Sequence, residues 1–259
     1  MADFRLGSMV AEVEGDGPAI VLIHGLGGSS NSFQPLMAAL EGYRTIRPDL
    51  PGAGRSAARP GLPGIAGMAR AVEEMLGALS IRHAYLVGHS MGTLVAQCLA
   101  VSRPGLVRGM ALFGSITEPP PAARDGLRAR AAKARADGMA GIAQAVSQGS
   151  VSATSRAANP VIAPFVRESL SRQEPRNYAA HCEALADWHG VDASRIACPT
   201  LLVAGADDPV APPAMARTLE TAIPDARAEV LPGIGHWIML EAPAKSAELL
   251  TGHLKKTVG

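Results

Sequence analysis

Aromatic residues are scarce in this chain: four Phe, three Tyr and two Trp make up 3% of 259 residues. So few rings leave little with which to stack the bases of single-stranded nucleic acid. An excess of charge of one sign is missing too. The 24 Lys and Arg nearly cancel the 23 Asp and Glu, giving a formal net charge of +1 and no basic surplus to hold a polyphosphate. Cysteine is sparse and odd in number. Cys98, Cys182 and Cys198 lie far apart, so neither a disulfide framework nor a close-spaced zinc motif is expected, and they read as reduced, buried small apolar residues. No segment approaches the ~18 apolar residues of a membrane span. The N-terminal "MADFRLGSMVAEVEGDGP" scatters charges where a signal peptide would have an apolar stretch. These absences predict a cytoplasmic protein that engages neither nucleic acid nor membrane; a monomer or homodimer is expected.

Apolar sequence is abundant, at 47% of residues, enough for one α/β domain with a sizeable core. β-rich runs recur: "MVAEV" at 9–13, "AIVLIHG" at 19–25, "YRTIRPDL" at 43–50, "AYLVGHS" at 84–90, "GMALFGS" at 109–115, "TLLVAGADD" at 200–208 and "RAEVLPG" at 227–233. Helix-like stretches such as "IAGMARAVEEMLGALS" and "PPAMARTLETAI" lie between several of them, the pattern of parallel strands joined by crossover helices. An open, mostly parallel sheet follows, with "AIVLI" and "TLLVA" as central strands buried on both faces. From about Ile116 to Ala197 the alternation stops. Ala- and Arg-rich helix-like pieces replace it ("AARDGLRARAAKARADG", "MAGIAQAVSQ", "NYAAHCEALADWH"), entered through Pro119, Pro120 and Pro121 and left at Cys198-Pro199. This reads as a helical insertion, 116–198, in a core made of 1–115 and 199–259.

One stretch, "LVGHSMGTLVAQCLA" at 86–100, leaves a strand-like run, turns on Gly88-His89-Ser90-Met91-Gly92 and enters a helix-like run with no ordinary loop. So tight a turn forces Ser90 into strained backbone, presents its hydroxyl at the sheet edge, and needs small residues two positions away on each side. The free N–H groups and positive dipole end of the following helix face any negative charge that develops nearby. Ser90 is therefore the candidate nucleophile. A serine hydroxyl is a weak nucleophile near neutral pH; it needs a base, and a carboxylate to fix the base's tautomer. His236, in the short loop "GIGHWIMLEAP", is the candidate base, and "LLVAGADDPVAPP" ends a strand with two acids, Asp207 and Asp208. His24 reads as a loop buttress and His89 as the unconstrained position of the turn, while His83, His181, His189 and His253 have no matching context. "HGLGGSS" at 24–30 has glycines that let backbone N–H groups turn toward the serine. The spacing of Gly25, Gly27 and Gly28 is wrong for a dinucleotide fingerprint. No histidine pair has metal-ligand spacing with supporting acids, and the chemistry calls for no metal or other cofactor.

Serine, acid and histidine in that chain order, with these motifs, resemble the α/β-hydrolase family across nearly the full length. That family's acid sits in a Gly-x-x-Asp pattern just after a strand, here Gly205-Ala206-Asp207-Asp208, so the resemblance implies Asp208. It further implies an oxyanion hole from the backbone N–H groups of Leu26 and Met91, and a structural role for "RPDLPGAGRSA" with Asp49, Gly52, Gly54 and Ser56. It also implies a helical cap, or lid, inserted after the sixth strand of a mostly parallel sheet flanked by helices. Haloalkane dehalogenases and epoxide hydrolases of the family place Asp at the turn, so Ser90 points to acyl chemistry. "GHSMGTLVAQCLA", "AGADDPVAPPAMARTLETAIPDAR" and "GHWIMLEAP" are most similar to the 3-oxoadipate enol-lactonase-like esterases, which implies cleavage of a small carboxylic ester or lactone. Thr93 stands where those enzymes often have a second glycine, and Trp237 resembles the Gly-His-Trp of hydrolases that cleave carbon–carbon bonds in ring-fission products. A cofactor-free C–C hydrolase, an acyltransferase or perhydrolase, and a receptor-like binding protein with little turnover are the alternatives. Candidate pocket residues are Trp237, Val210, Met139, Ile142, Val146 and Trp188. An acidic substrate would engage an inward-facing arginine among Arg124, Arg128, Arg156 and Arg172.

Overall fold

Runs of Ile, Val, Leu and Ala become strands here because both faces of the sheet are covered. The computed structural model describes residues 2–58 and 64–257. In chain order, β1 (Ala2–Leu6), β2 (Met9–Glu14), β3 (Ala19–Ile23), a 3-10 helix (Ser30–Leu40), β4 (Arg44–Asp49), α1 (Gly64–Ala78), β5 (Ala84–His89), α2 (Met91–Ser102) and β6 (Val107–Phe113) come first. Five helices then follow one another: α3 (Pro121–Asp137), α4 (Ala140–Ser150), α5 (Ala153–Ala158), α6 (Ile162–Ser171) and α7 (Pro175–Ala186). A 3-10 turn (Ala193–Arg195) leads back to β7 (Thr200–Gly205), α8 (Pro213–Ala222), β8 (Ala226–Leu231), α9 (Ile238–Glu241) and α10 (Pro243–Thr257). None of the helices among the described residues is long and apolar enough to cross a membrane.

The eight strands are ordered β1-β2-β4-β3-β5-β6-β7-β8; β1–β2 and β2–β4 pair antiparallel and all the rest parallel. From β3 the chain steps outward to β4, then returns to β5 on the other side. That reversal opens a crevice at the C-terminal ends of β3 and β5, where open parallel sheets bind ligands. Alternation divides the core between the two faces. Val21 and Ile23 point to the side covered by α1, α2 and α8, and Ile20 and Leu22 to the side covered by the Ser30–Leu40 helix and α10.

Each of the seven expected strands is present, with ends shifted by up to three residues; the largest shift is in β7, which stops at Gly205 and leaves Asp207 and Asp208 to the loop. β1 was not expected: its "ADFRL" is short and charged, and only its pairing with β2 gives Phe4 and Leu6 a core to cover. The inserted segment contains α5 and α6 beyond the three expected helical pieces. α6 starts "IAP", and Pro164, which reads as a breaker, falls in the first turn, where a missing N–H costs nothing. The inserted helices bury a cluster of their own, including Ile142, Val166, Leu170, Tyr178 and Cys182, and Trp237 and Leu26 from the sheet side pack into it. Cys98, Cys182 and Cys198 are free thiols, the last two buried.

Candidate active site

β5 hands the chain directly to α2 through Ser90, at φ 51° and ψ −120°. This is left-handed backbone that side chains rarely adopt, and neighbouring contacts hold it there. A Cβ on Gly92 would stand 2.1 Å from the Ile23 carbonyl oxygen, and one on Gly88 would stand 2.7 Å from the Gly92 oxygen, so both positions must be glycine. Thr93 ties the turn down: its hydroxyl donates to the Ser90 carbonyl at 2.6 Å and accepts the Ile116 N–H at 3.2 Å. A second glycine at position 93 would lack this link between the turn and the entry to the inserted helices.

His236 follows β8 and Asp208 follows β7, and both reach the same sheet edge. The His236 Nδ1 lies 2.8 Å from Asp208 Oδ2, and its Nε2 lies 2.9 Å from the Ser90 Oγ. With Nδ1–H donated to the carboxylate, Nε2 is left to accept the serine proton. The second Asp208 oxygen accepts the N–H groups of Val210 and Ala211 at 2.8 and 2.9 Å. Burial pushes the Asp208 carboxyl up, but His236 and these two N–H groups outweigh it and hold the group below the usual carboxylate range. Asp207 makes no such contact; its N–H donates to the Ile234 carbonyl. Gly205 lets the loops of His236 and Asp208 approach, since a Cβ there would sit 2.2 Å from the Gly235 oxygen.

Glu241, a residue the sequence did not single out, braces the histidine loop. Its carboxylate accepts the N–H groups of Gly235, Trp237 and the inserted segment's Ser152, at 2.8, 2.9 and 3.0 Å. The neighbouring Ser150 takes the His236 N–H on its carbonyl and the Trp237 Nε1–H on its hydroxyl, at 2.8 and 2.9 Å. The only hint in sequence is an acid five residues after the histidine, which by type alone reads as a helix-start carboxylate.

The glycine-rich loop after β3 faces Ser90 from the other side. His24 accepts the Leu50 N–H on Nε2 at 3.0 Å and donates Nδ1–H to the Gly25 carbonyl at 2.8 Å, which makes it the buttress the sequence suggested. The Leu26 N–H has no acceptor among the described residues. Met91 opens α2, where the first N–H groups have no intrahelical partner. Asp49 accepts the N–H groups of Ser30 and Arg55, and the Ser56 hydroxyl donates to the Asp49 carbonyl, so "RPDLPGAGRSA" holds the base of this loop. His89 donates Nε2–H to the His236 carbonyl at 2.9 Å; burial, with His236 adding to it, lowers it to about 3. His181 donates to the Pro51 carbonyl, while His83 and His189 stand at the surface and His253 packs against Tyr85.

Of the six candidate pocket residues, Ile142, Val146 and Val210 line a cleft of about 430 Å³ beside α4. Met139 and Trp237 are instead buried in the cluster beneath the inserted helices, and Trp188 donates its ring N–H to the Thr117 carbonyl. The four arginines considered for an acidic substrate are occupied elsewhere. Arg124 binds Glu118 and the carbonyls of Ala186 and Trp188, Arg128 pairs with Asp187, Arg156 holds the Gln148 and Val151 carbonyls, and Arg172 pairs with Glu168. The arginine that lines the cleft is Arg130. Among the described residues, no group of three or more His, Cys, Asp or Glu could hold a metal ion.

Known proteins share the family and the fold. Residues 18–148 and 137–243 match the family described as alpha/beta hydrolase fold. A protein of Stutzerimonas stutzeri (strain A1501) named "Putative carbamate hydrolase RutD" is 30% identical over 252 residues, 95% of each chain. The 3-oxoadipate enol-lactonase 1 of Acinetobacter baylyi is 31% identical over 245 residues, 92% of this chain and 89% of its own. Among solved structures, a malate-bound thermophilic esterase from Thermogutta terrifontis superposes with a TM-score of 0.91 at 25% identity, covering 96% of this chain and 93% of that one. The chain belongs to the alpha/beta hydrolase fold family.

Proposed function

We propose that the protein is a serine hydrolase that cleaves a small carboxylic ester or lactone through an acyl-enzyme on Ser90. The observation that carries this reading is the relay Ser90 Oγ, His236 Nε2, His236 Nδ1, Asp208 Oδ2, with separations of 2.9 and 2.8 Å. His236 takes the hydroxyl proton as Ser90 Oγ attacks the carbonyl carbon, and Asp208 stabilises the imidazolium. The N–H groups of Leu26 and Met91 stabilise the oxyanion. The carbon–oxygen bond of the leaving alcohol breaks, and the alcohol departs with the proton from His236. Water, deprotonated by His236, then attacks the acyl-enzyme, releases the acid and restores Ser90. The inserted helices would act as a cap that excludes bulk water from these steps.

A second reading, hydrolysis of a carbamate on the same residues, is favoured by the RutD relative. It differs in the group carried by Ser90, a carbamoyl group if the alcohol leaves or a carbonate ester if the amine leaves, which water then releases as an acid that loses CO2. p-Nitrophenyl acetate under pre-steady-state conditions tests the shared mechanism. A burst of nitrophenol equal to the enzyme concentration is expected, and its loss in Ser90→Ala and His236→Ala; full activity in purified Ser90→Ala would refute the nucleophile. The ratio of kcat/KM for matched esters, lactones and carbamates then decides between the readings.

A further inference from the structure

The inserted helices reach the glycine-rich loop after β3, beside the nucleophile. Just past α6, the Gln173 side chain is buried, and its Nε2–H groups face the Gly27 and Gly28 carbonyls, both at 3.3 Å, and the Ser169 carbonyl at 3.0 Å. One helical turn earlier, the Ser169 hydroxyl donates to the same Gly27 carbonyl at 2.8 Å. Leu170 lies between them in sequence. A Cβ on Gly27, which stands at φ 76°, would be 2.2 Å from Leu170 Cδ2, so α6 sits against the turn with no gap. Among the described residues, both side-chain donors to the Gly27 carbonyl come from the inserted segment.

That carbonyl is connected to the Leu26 N–H through two peptide units. In a trans peptide the C=O and the N–H point in opposite directions. The peptide that begins with the Gly27 carbonyl ends in the Gly28 N–H, which donates to the Gly25 carbonyl at 3.0 Å. The peptide that begins with the Gly25 carbonyl ends in the Leu26 N–H. It starts beside the nucleophile, since a Cβ on Gly25 would lie 2.8 Å from the Ser90 Cβ. A chain of hydrogen bonds therefore runs from the Ser169 hydroxyl through peptide 27–28 and peptide 25–26 to the Leu26 N–H. Each bond accepted by a carbonyl polarises its peptide and strengthens the N–H at the other end. His24 holds the Gly25 carbonyl from the core side, and α6 holds the turn from the opposite one.

We propose that Ser169 and Gln173 are positioning residues for the oxyanion hole: by binding the Gly27 carbonyl they aim and strengthen the Leu26 N–H, which is set only while α6 is seated on the turn. The proposal rests on the hydrolase reading and gives the inserted helices a part in the acyl-transfer step beyond covering the site.

Steady-state kinetics with p-nitrophenyl propionate, beside inhibition by 1,1,1-trifluoro-2-butanone, test it. With this ketone Ser90 Oγ adds to the carbonyl carbon, His236 takes the proton, and the former carbonyl oxygen becomes the anion in the hole. Ser169→Ala and Gln173→Leu should each lower kcat about tenfold or more with KM changed by less than about twofold. Both should weaken the ketone by the factor lost in kcat/KM, as expected when only the anionic state loses its donor. Ser169→Thr keeps the hydroxyl and should recover most of the loss. Glu168→Ala, on the exposed side of α6, should change neither reading. Ser169→Ala, the smaller change, decides the matter if Gln173→Leu does not fold. Wild-type turnover through Ser90 with kcat and ketone affinity unchanged in the variants, or a loss confined to KM, overturns the proposal and leaves the hydrolase reading standing. No turnover and no ketone adduct on wild-type Ser90 overturns both.

Discussion

Ser90 owes its position to the atoms that leave it no alternative. A non-glycine residue at positive φ costs on the order of 1–3 kcal/mol and persists only where its surroundings dictate it. The close approaches at Gly88 and Gly92 and the two hydrogen bonds of Thr93 are those surroundings. Thr93→Val keeps the shape and removes the hydroxyl, leaving the buried Ile116 N–H unpaired. A loss of about 1–3 kcal/mol is predicted, seen as a lower urea midpoint with unchanged m-value. Ser90→Ala behaves differently, because its hydroxyl contacts His236 and bears no packing load: stability should stay within about 0.5 kcal/mol. The glycine–serine–glycine turn was legible in sequence because its constraints are local, two positions either way. The role of Thr93 was not, since its partner Ile116 lies 23 residues on.

The loop of His236 and the segment joining α4 to α5 are held as one piece. Glu241 accepts three N–H groups across them, Ser150 accepts two, and the Ser152 hydroxyl donates to the Gly233 carbonyl at 2.7 Å. Glu241→Ala removes the acceptor shared by these segments and lets the imidazole drift. A fall in kcat of about 10- to 100-fold is predicted, with a smaller change in KM, as expected when reacting atoms lose alignment. Glu241→Gln keeps one carbonyl acceptor and should recover part of it; steady-state kinetics of the two variants provide the check. Elements that announce themselves by periodicity were legible: the buried runs of β3, β5 and β7, and helices α1 and α8. Those that depend on a distant partner were not. β1 is a strand because β2 lies beside it, α6 is a helix in spite of its proline, and the arginine that faces the cleft is one of many on α3 distinguished only by what surrounds it.

Folding buries His24, His89 and His181 in neutral form, and this links the stability of the protein to pH. Burial lowers all three, His89 to about 3 and His181 to about 4. Between these values and the ordinary histidine value of 6.5, the unfolded chain holds protons that the folded chain does not, so stability rises with pH in that window. It is complete above 6.5 and falls as pH drops, approaching about 1.4 kcal/mol per unit for each group. Asp49 and Asp208, held below their ordinary values, add a loss only at lower pH. Urea unfolding at pH 7.5 and pH 5 (about neutral, and well inside that window) should therefore differ by a few kcal/mol. His181→Gln, which retains a donor for the Pro51 carbonyl, should flatten the slope by about one proton. The family and the sheet were readable from the order of motifs, whereas the meeting of residues 90, 208 and 236 depends on β5, β7 and β8 ending at one edge. Labelling with a fluorophosphonate, followed by peptide mass mapping, goes straight to that meeting point. A single adduct on Ser90 is predicted, absent from Ser90→Ala and slowed in His236→Ala; an adduct on another residue, or ester turnover with Ser90 unlabelled, would contradict it.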